Sequence, residues 1–423
     1  MTEEFLQYLW KYRLYKPGLS LVNGEPMEVI HPGEQNFDEG PDFFNTRIKL
    51  GNTIWAGNAE VHIRASDWQR HEHDIEKNYG NVVLHVVYEN DYRVERANGE
   101  IIPAVELRNM FDMAIFERYR DFMQNRRWIA CESLLDNVTS FEKESWLESL
   151  LVERLERKET ALTDDLRRNK NDWHETFYYS IARGFGFKLN SDAFGMLAKS
   201  LPLQCLGKHK DNLIQLEALL FGQAGLLSEE LTDQYAQTLW HEYQYLRKKF
   251  QLQPMNGHLW RFMRLRPSNF PTIRIAQFAM LIHQSSGLLS QILEIRDTIK
   301  LVKLLDTDCS DYWHTHYRFD KSSARKTKHI GEASAVSLVI NTVVPFMFAL
   351  GRQKDDQELK DKALQILMEL PGEMNAITRK WVSFGMENNS AADSQALIEL
   401  KNIYCDFKKC LNCRIGNALI RKS

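Results

Sequence analysis

GPDFFNTRIKLGNTIWAGNAEVHIRASDWQRHEHDIEKNYGNVVLH, residues Gly40 to His85, contains the clearest β-strand signals of the N-terminal part of the chain. Phe43 to Leu50 and Thr53 to Arg64 flank the turn residues Gly51-Asn52, a pattern that predicts a β-hairpin. Asn81 to Glu89 is apolar at successive positions, which is typical of a central strand covered on both faces. The stretch therefore predicts a sheet of at least three strands.

The second arm of this hairpin carries a polar stripe. Side chains alternate along a strand, so one face holds Asn58, Glu60, His62 and Arg64. A carboxylate and an imidazole side by side on a half-buried strand need a partner, which is either a divalent cation or a set of satisfied hydrogen bonds.

The chain on either side extends this β-rich module. Thr2 to Tyr15 predicts a leading helix with Thr2 as its cap. Asn23-Gly24 and Asn98-Gly99 are hairpin signals, the first between Leu19 to Val22 and Met27 to Ile30, the second between Tyr92 to Ala97 and Glu100 to Leu107. Residues 1–110 therefore form the predicted first domain.

From Phe111 onward the apolar spacing changes to three and four, which predicts an all-helical second domain over residues 111–423. One helix starts at Ser140, and Asp172 with Glu175 predicts a capping box before another. The fold class is therefore α+β. Ala333 to Gly351 is uncharged and about long enough to span a bilayer, but Pro345 interrupts it, which favours a buried helix kinked there and no membrane contact.

Charge and cysteine content bear on the compartment. The formal net charge of -3 divides into -7 for residues 1–110 and +4 for the remainder. The start, MTEEFLQYLWKY, has acids where a signal peptide has positive charge. Six cysteines in 423 residues do not form the even framework of a small secreted protein. We expect a cytoplasmic protein.

The order of a leading helix, a hairpin, Pro41-Asp42 at the head of one strand and Glu60-Val61-His62 on the next resembles the PD-(D/E)XK nuclease superfamily. The resemblance covers the front module and implies a restriction-endonuclease-like mixed sheet. It also implies that Asp42 and Glu60 hold Mg²⁺ or Mn²⁺ for hydrolysis of nucleic-acid phosphodiester bonds. His62 stands where the superfamily has lysine, so it would orient or deprotonate the water, or bind the metal. Glu3 or Glu4 of the leading helix would add an acid.

A second polar cluster follows the hairpin. His71 and His73, with Asp67 and Asp74 nearby, form an HxH pair that suits Zn²⁺, Fe²⁺ or Mn²⁺, or else a solvated loop. His62 or Glu60 would complete a triad like that of cupin-like β-barrels. His85 lies on the covered strand and is predicted to be a hydrogen-bonded core histidine.

The wording EVHIRASDWQRHEHD and NVVLHVVYEND, with CDFKKCLNCRIGNALI near the end, also resembles an uncharacterised bacterial family, a domain of unknown function. This resemblance spans nearly the whole chain and implies no activity.

Residues 243–293 contain seven basic and no acidic side chains. In HLWRFMRLRPSNFP, cations that could hold phosphates alternate with rings that could stack on bases. The candidate nucleic-acid contacts are Arg261, Arg264, Arg266 and Arg274. The alternative is that the aromatic rings are core and the arginines meet acids from elsewhere.

Cys405, Cys410 and Cys413 have the spacing C-x4-C-x2-C. Three thiolates can hold Zn²⁺ or an iron-sulfur cluster when a fourth ligand joins them, and Cys309, His314 or His316 are candidates. The alternative is a terminal helix with small buried cysteines.

Three functions remain open. The first is a divalent-metal-dependent nuclease. The second is a nonenzymatic nucleic-acid or protein-binding scaffold with a degenerate nuclease fold. The third is a cupin-like metal-binding module that uses His62, His71 and His73.

Overall fold

A computed structural model describes residues 1–71, 73, 77–96, 99–285 and 287–422. The chain divides into two compact units, and both boundaries fall inside helical segments. Unit 1 comprises Met1–Trp146 with Leu400–Ser423, and unit 2 comprises Leu147–Glu399. The α+β class predicted from the sequence is confirmed.

Strands concentrate in unit 1 and helices in unit 2. Up to the first boundary the elements are α1 (Glu3–Lys11), β1 (Met27–His31), β2 (Glu34–Gln35), β3 (Phe43–Leu50), β4 (Thr53–Arg64), α2 (Asp67–Arg70), β5 (Val82–Glu89), β6 (Ala104–Glu106), α3 (Met113–Gln124) and α4 (Ser140–Arg168), which continues into unit 2. Then come α5 (Trp173–Phe185), α6 (Phe187–Ser200), α7 (Leu203–Gly207), α8 (Leu213–Gln223), α9 (Gln234–Phe250), α10 (Pro271–Gln284), α11 (Leu288–Glu294), α12 (Thr298–Leu305), α13 (Asp311–His314), β7 (His316–Arg318), β8 (Lys321–Ser322), α14 (Glu332–Leu338), α15 (Val344–Gln353), α16 (Gln357–Glu369), α17 (Ala376–Val382) and α18 (Ala391–Glu399). Unit 1 ends with α19 (Arg414–Arg421).

The sheet of unit 1 is mixed, with strand order β1-β3-β4-β5-β6 and β2 paired to β3. β3 is antiparallel to β1, β2 and β4, whereas β5 is parallel to both β4 and β6. The predicted hairpin is confirmed with its bounds, and Gly51 at φ 55° supplies the left-handed turn residue. β5 is the predicted central strand, because it has a neighbour on each side and six successive buried residues.

α1 packs against β4 and β5 through Phe5, Leu6, Leu9 and Trp10, all of which are buried. Thr2 caps the helix as predicted, since its hydroxyl accepts from the Phe5 N–H. The predicted end at Tyr15 is wrong. The helix ends at Lys11 because Arg13 is left-handed, at φ 51°.

The two predicted outer hairpins form only in part. Before Asn23-Gly24, the predicted first strand forms only isolated β-bridges. In one of these bridges Leu21 pairs with Val105 of β6. Around Asn98-Gly99 there is a bridge from Glu95 to Ile101, while Ala97 and Asn98 lie outside the described residues.

Two predicted helix starts are confirmed, one at Ser140 in unit 1 and one after Asp172 in unit 2. Asp172 accepts from His174 and Glu175, but the Glu175 carboxylate accepts from the Leu203 N–H, so the reciprocal half of the predicted capping box is not formed. Glu332–Gln353 is one helical segment long and apolar enough to cross a membrane by length and composition, and 72% of its apolar window is buried in the folded chain. A π-helical turn, Val339–Val343, directly precedes Pro345.

Candidate metal centre

The polar stripe on β4 and the HxH pair that follows it belong to one site. Glu60 and His62 project from the same side of β4, and the chain then turns back through α2, which ends at its C-cap residue His71. Asp67 closes this turn, because its Oδ2 accepts from the Arg64 N–H at 3.0 Å. The short turn returns His71 and His73 to the end of the strand that carries Glu60.

Potential ligand atoms of four side chains lie close together at this end of β4. Glu60 Oε1 is 3.5 Å from His62 Nε2 and 3.4 Å from His73 Nε2. His62 Nε2 is 3.2 Å from His71 Nδ1, and the three imidazoles offer atoms that all lie within 4.8 Å of one another. Ligands joined to one tetrahedral cation by bonds of about 2.0–2.1 Å are separated by roughly 3.3–3.4 Å. The three histidines therefore have spacing compatible with a single metal site, and Glu60 Oε1 lies beside two of them.

His85 contacts Nδ1 of His62, the ring nitrogen that is not among the potential ligand atoms. The side chain of His85 is fully buried on β5, and its Nε2 lies 2.9 Å from His62 Nδ1. When His62 carries its proton on Nδ1, it donates to His85 and presents the Nε2 lone pair to the site. The prediction of a hydrogen-bonded core histidine is confirmed.

Asp42 lies at the head of β3 and forms a hydrogen bond to Glu60. Its backbone N–H donates to Glu60 Oε2 at 3.0 Å. Its own carboxylate accepts from Gln7 Nε2 at 2.8 Å and from the Val61 N–H at 3.0 Å. Gln7, on α1, is a site residue that sequence reasoning missed, because no spacing signal links it to β3.

Burial dominates the electrostatics of this site. It raises the pKa of Glu60 to about 8 and that of Asp42 to about 7, the latter with help from the Glu60 charge. Burial, together with the neighbouring imidazoles, lowers the pKa of His62 to about 2 and that of His85 to about 3. Both rings are therefore neutral at physiological pH, the form in which imidazole binds metals.

The remaining acids have different neighbours. Glu3 is half-buried, its carboxylate accepts from the Ile63 N–H, and burial raises its pKa while the His71 charge lowers it. The charge of Lys409, not that of a site residue, acts on Glu4. Asp67 forms an ion pair with Arg70 at 2.8 Å, and Asp74 lies outside the described residues. Glu3 is thus the leading-helix acid near the site.

The candidate nucleic-acid contacts lie in unit 2, where some of them are exposed and one is buried. Arg261, Arg264 and Arg266 are exposed, and within the part of the chain that the structure describes none of them forms an ion pair. Arg274 is 4% exposed and its guanidinium donates to Gln277 and Asn269, so it is a buried structural residue rather than a surface contact. The ring of Trp260 is also buried, with its Nε1 donating to the Ala224 carbonyl.

The three C-terminal cysteines lie in unit 1 and are joined there by Cys131, which sequence reasoning missed because most of the chain separates it from them. The charges of Cys413 and Cys131 both act on Cys405. In unit 2, Cys309 and His314 form a separate group with Asp308.

Comparison with known proteins places the chain in a family. No curated protein and no solved structure matches it. The family model described as "Protein of unknown function (DUF2851)" matches residues 3–376, which include the candidate metal centre and Cys131 but not the C-terminal cysteines. The chain therefore belongs to the DUF2851 family of proteins of unknown function.

Proposed function

We propose that this protein is a divalent-metal-dependent hydrolase of nucleic-acid phosphodiester bonds, and that its metal ligands are Glu60, His62, His71 and His73. The convergence of the three histidines, with Glu60 Oε1 beside two of them, carries the proposal. Three imidazole nitrogens and one carboxylate oxygen favour Zn²⁺ or Mn²⁺, whereas Mg²⁺ prefers oxygen ligands. The donor set thus favours Mn²⁺ of the two cations that the nuclease resemblance implies.

The surroundings of the centre support phosphodiester chemistry. A leading helix, the antiparallel strands β1, β3 and β4, and the parallel strand β5 follow in the order that the PD-(D/E)XK resemblance implies, with Asp42 and Glu60 on adjacent strands. A bound cation would lower the pKa of its water and neutralise phosphate charge. Asp42 would hold the Glu60 ligand in place through its backbone N–H, which donates to Glu60 Oε2.

The cupin-like alternative has weaker support. Cupins are antiparallel double-sheet barrels, whereas β5 pairs in parallel with both of its neighbours. The nonenzymatic scaffold and the hydrolase are expected to differ in how they bind metal and nucleic acid. Two experiments test these properties.

The first experiment is calorimetric titration of the chelator-treated protein with Mn²⁺, a hard cation that disfavours thiolates and so does not report on the cysteines. His73→Ala should weaken Mn²⁺ binding by at least about tenfold, since even the loss of a residue that only supports a ligand has that effect. The control is His258→Ala, an exposed histidine of unit 2. A parent that binds no Mn²⁺, or a His73 variant that binds it equally well, refutes the proposed centre.

The second experiment tests the surface of unit 2 with oligonucleotides. Replacing Arg261, Arg264 and Arg266 by Ala should weaken binding and reduce the slope of log affinity against log salt by about 2–3, because each phosphate contact contributes about 0.9. The control variant removes three exposed lysines of the same unit, Lys300, Lys303 and Lys354. Equal slopes for the arginine variant and the parent would show that these arginines do not contact phosphate.

A further inference from the structure

The C-terminal segment folds into a compact loop that gathers its three cysteines. The loop starts with the π-helical turn Leu400–Cys405 and ends at Cys413, the N-cap of α19. Backbone bonds close it: the Lys408 N–H donates to the Cys405 carbonyl, and the Cys413 N–H donates to the Lys409 carbonyl at 3.0 Å. At Gly416 a Cβ atom would lie 2.3 Å from the Cys410 carbonyl oxygen, so only glycine allows α19 to approach the loop this closely.

The same segment is anchored on the part of unit 1 that contains Cys131. This cysteine is the N-cap of the 3-10 turn Glu132–Asn137, and α19 packs against both that turn and α3. The Arg118 Nε donates to the Ile420 carbonyl at 2.9 Å, and the Lys401 ammonium lies 5.0 Å from the centre of the Trp128 ring. These contacts on both sides of the loop place the C-terminal segment against the turn that Cys131 caps.

The four thiols share an environment suited to a metal. Cys131 and Cys413 are buried and the other two are half-buried. Burial raises the pKa of Cys131 and of Cys410 to about 12, and the charge of Cys413 is the next largest contribution in each case. A metal would deprotonate these thiols, and four thiolates around Zn²⁺ carry a net charge of -2. Two cations face that charge, Lys401 near Cys405 and Lys408 near Cys410.

We propose that Cys131, Cys405, Cys410 and Cys413 bind one metal centre through four thiolates. Zinc and an iron-sulfur cluster are the two forms that such a donor set takes. The centre would tie the C-terminal segment to the region of α3. It would also support α1, because Tyr8 Oη donates to Asn417 Oδ1 at 3.3 Å and Arg421 lies over the Tyr12 ring. This inference is independent of the proposed hydrolase.

The test is elemental analysis of the full-length protein, purified without chelator and without oxygen, together with its visible spectrum and acid-labile sulfide. Apart from any metal that the three histidines hold, we expect about one zinc per chain in a colourless protein, or iron with matching sulfide and absorption near 400 nm. Cys131→Ser should lose most of that metal. Cys205→Ser is the matched control, since this half-buried thiol of unit 2 belongs to neither candidate metal group found among the described residues, and it should keep the metal.

If Cys131→Ser fails to fold, the proposal can still be tested on the protein without substitutions. Titration of the native protein with an organic mercurial should release the metal in proportion to the modification of four thiols. Metal below one-tenth of an equivalent in the parent, or full retention by Cys131→Ser, overturns the proposal. Release that does not follow thiol modification overturns it as well.

Discussion

Glu60→Gln is expected to reduce Mn²⁺-dependent cleavage of a plasmid or oligonucleotide by at least about 1000-fold while the protein stays folded. Glutamine keeps the shape of the side chain, so its Oε1 can still accept from the Asp42 N–H that now bonds Glu60 Oε2. Its amide N–H groups can face the neutral imidazoles of His62 and His73. What the substitution removes is the negative charge among the four ligand atoms. Cleavage is measured with the chelator-treated protein after Mn²⁺ is restored.

The matched control is Glu28→Gln, which makes the same change at an exposed position on β1 and should cleave like the parent. His62→Lys separates two roles of His62. A lysine that takes the role it has in the nuclease superfamily would preserve cleavage, whereas a His62 that binds the metal cannot be replaced by an ammonium group, which has no lone pair to donate. The proposed ligand set therefore requires that His62→Lys lose both Mn²⁺ binding and cleavage. Undiminished cleavage by Glu60→Gln would remove Glu60 from the reaction.

The parts of the fold that follow from local sequence could be predicted, and those that depend on distant contacts could not. The bounds of β3 and β4 were predictable because alternation and the Gly51-Asn52 turn are local signals. The parallel pairing of β6 with β5 depends on the path of the chain between the two strands. No local sequence pattern specifies that path. The end of α1 depends on the left-handed Arg13, whose residue type gives no such signal.

The candidate site shows the same division. Sequence reasoning gave the joining of His62 or Glu60 with His71 and His73 only as one of several alternatives, because their convergence depends on the length of the turn through α2. Arg274 was grouped with exposed arginines because a sequence shows its charge and not the amides of Asn269 and Gln277 that surround it. No local sequence pattern pointed to Cys131 either, because the C-terminal cysteines are its neighbours only in the folded chain.

The second large effect is on stability, and it changes sign with the metal. In the metal-free protein Glu60 has a pKa of about 8, raised from an ordinary value of 4.5 by burial. Between these two values the folded state holds a proton that the unfolded state has released, so this contribution to stability falls as pH rises from about 4.5 to 8. Asp42 acts in the same direction up to about pH 7. His62 and His85, whose pKa values are lowered, act in the opposite direction below about pH 6.5.

A difference between two proteins removes the contributions of these other groups, apart from the part of the Asp42 shift that the Glu60 charge causes. The free energy of unfolding of Glu60→Gln minus that of the parent should be smallest near pH 4.5, rise with pH and level off above pH 8. Each unit of pKa shift corresponds to about 1.4 kcal/mol, and because a buried site can relax or admit water we expect a rise on the order of 2–3 kcal/mol rather than the full amount. Urea unfolding of the chelator-treated proteins across this pH range measures it, with Glu28→Gln as the flat control.

Saturating Mn²⁺ at pH 8 should reverse the order. The cation takes the place of the proton on Glu60 and stabilises the folded parent by about 4.1 kcal/mol at 1,000 times the dissociation constant, which exceeds the roughly 2–3 kcal/mol expected for the loss of the buried charge. Glu60→Gln cannot gain this stabilisation, so the variant that is more stable without metal becomes the less stable one with it. A variant that is no more stable than the parent at pH 8 without metal would show that burying the Glu60 charge costs the protein little. A parent whose unfolding midpoint does not change with Mn²⁺ would show that the acid is buried for a reason other than binding a cation.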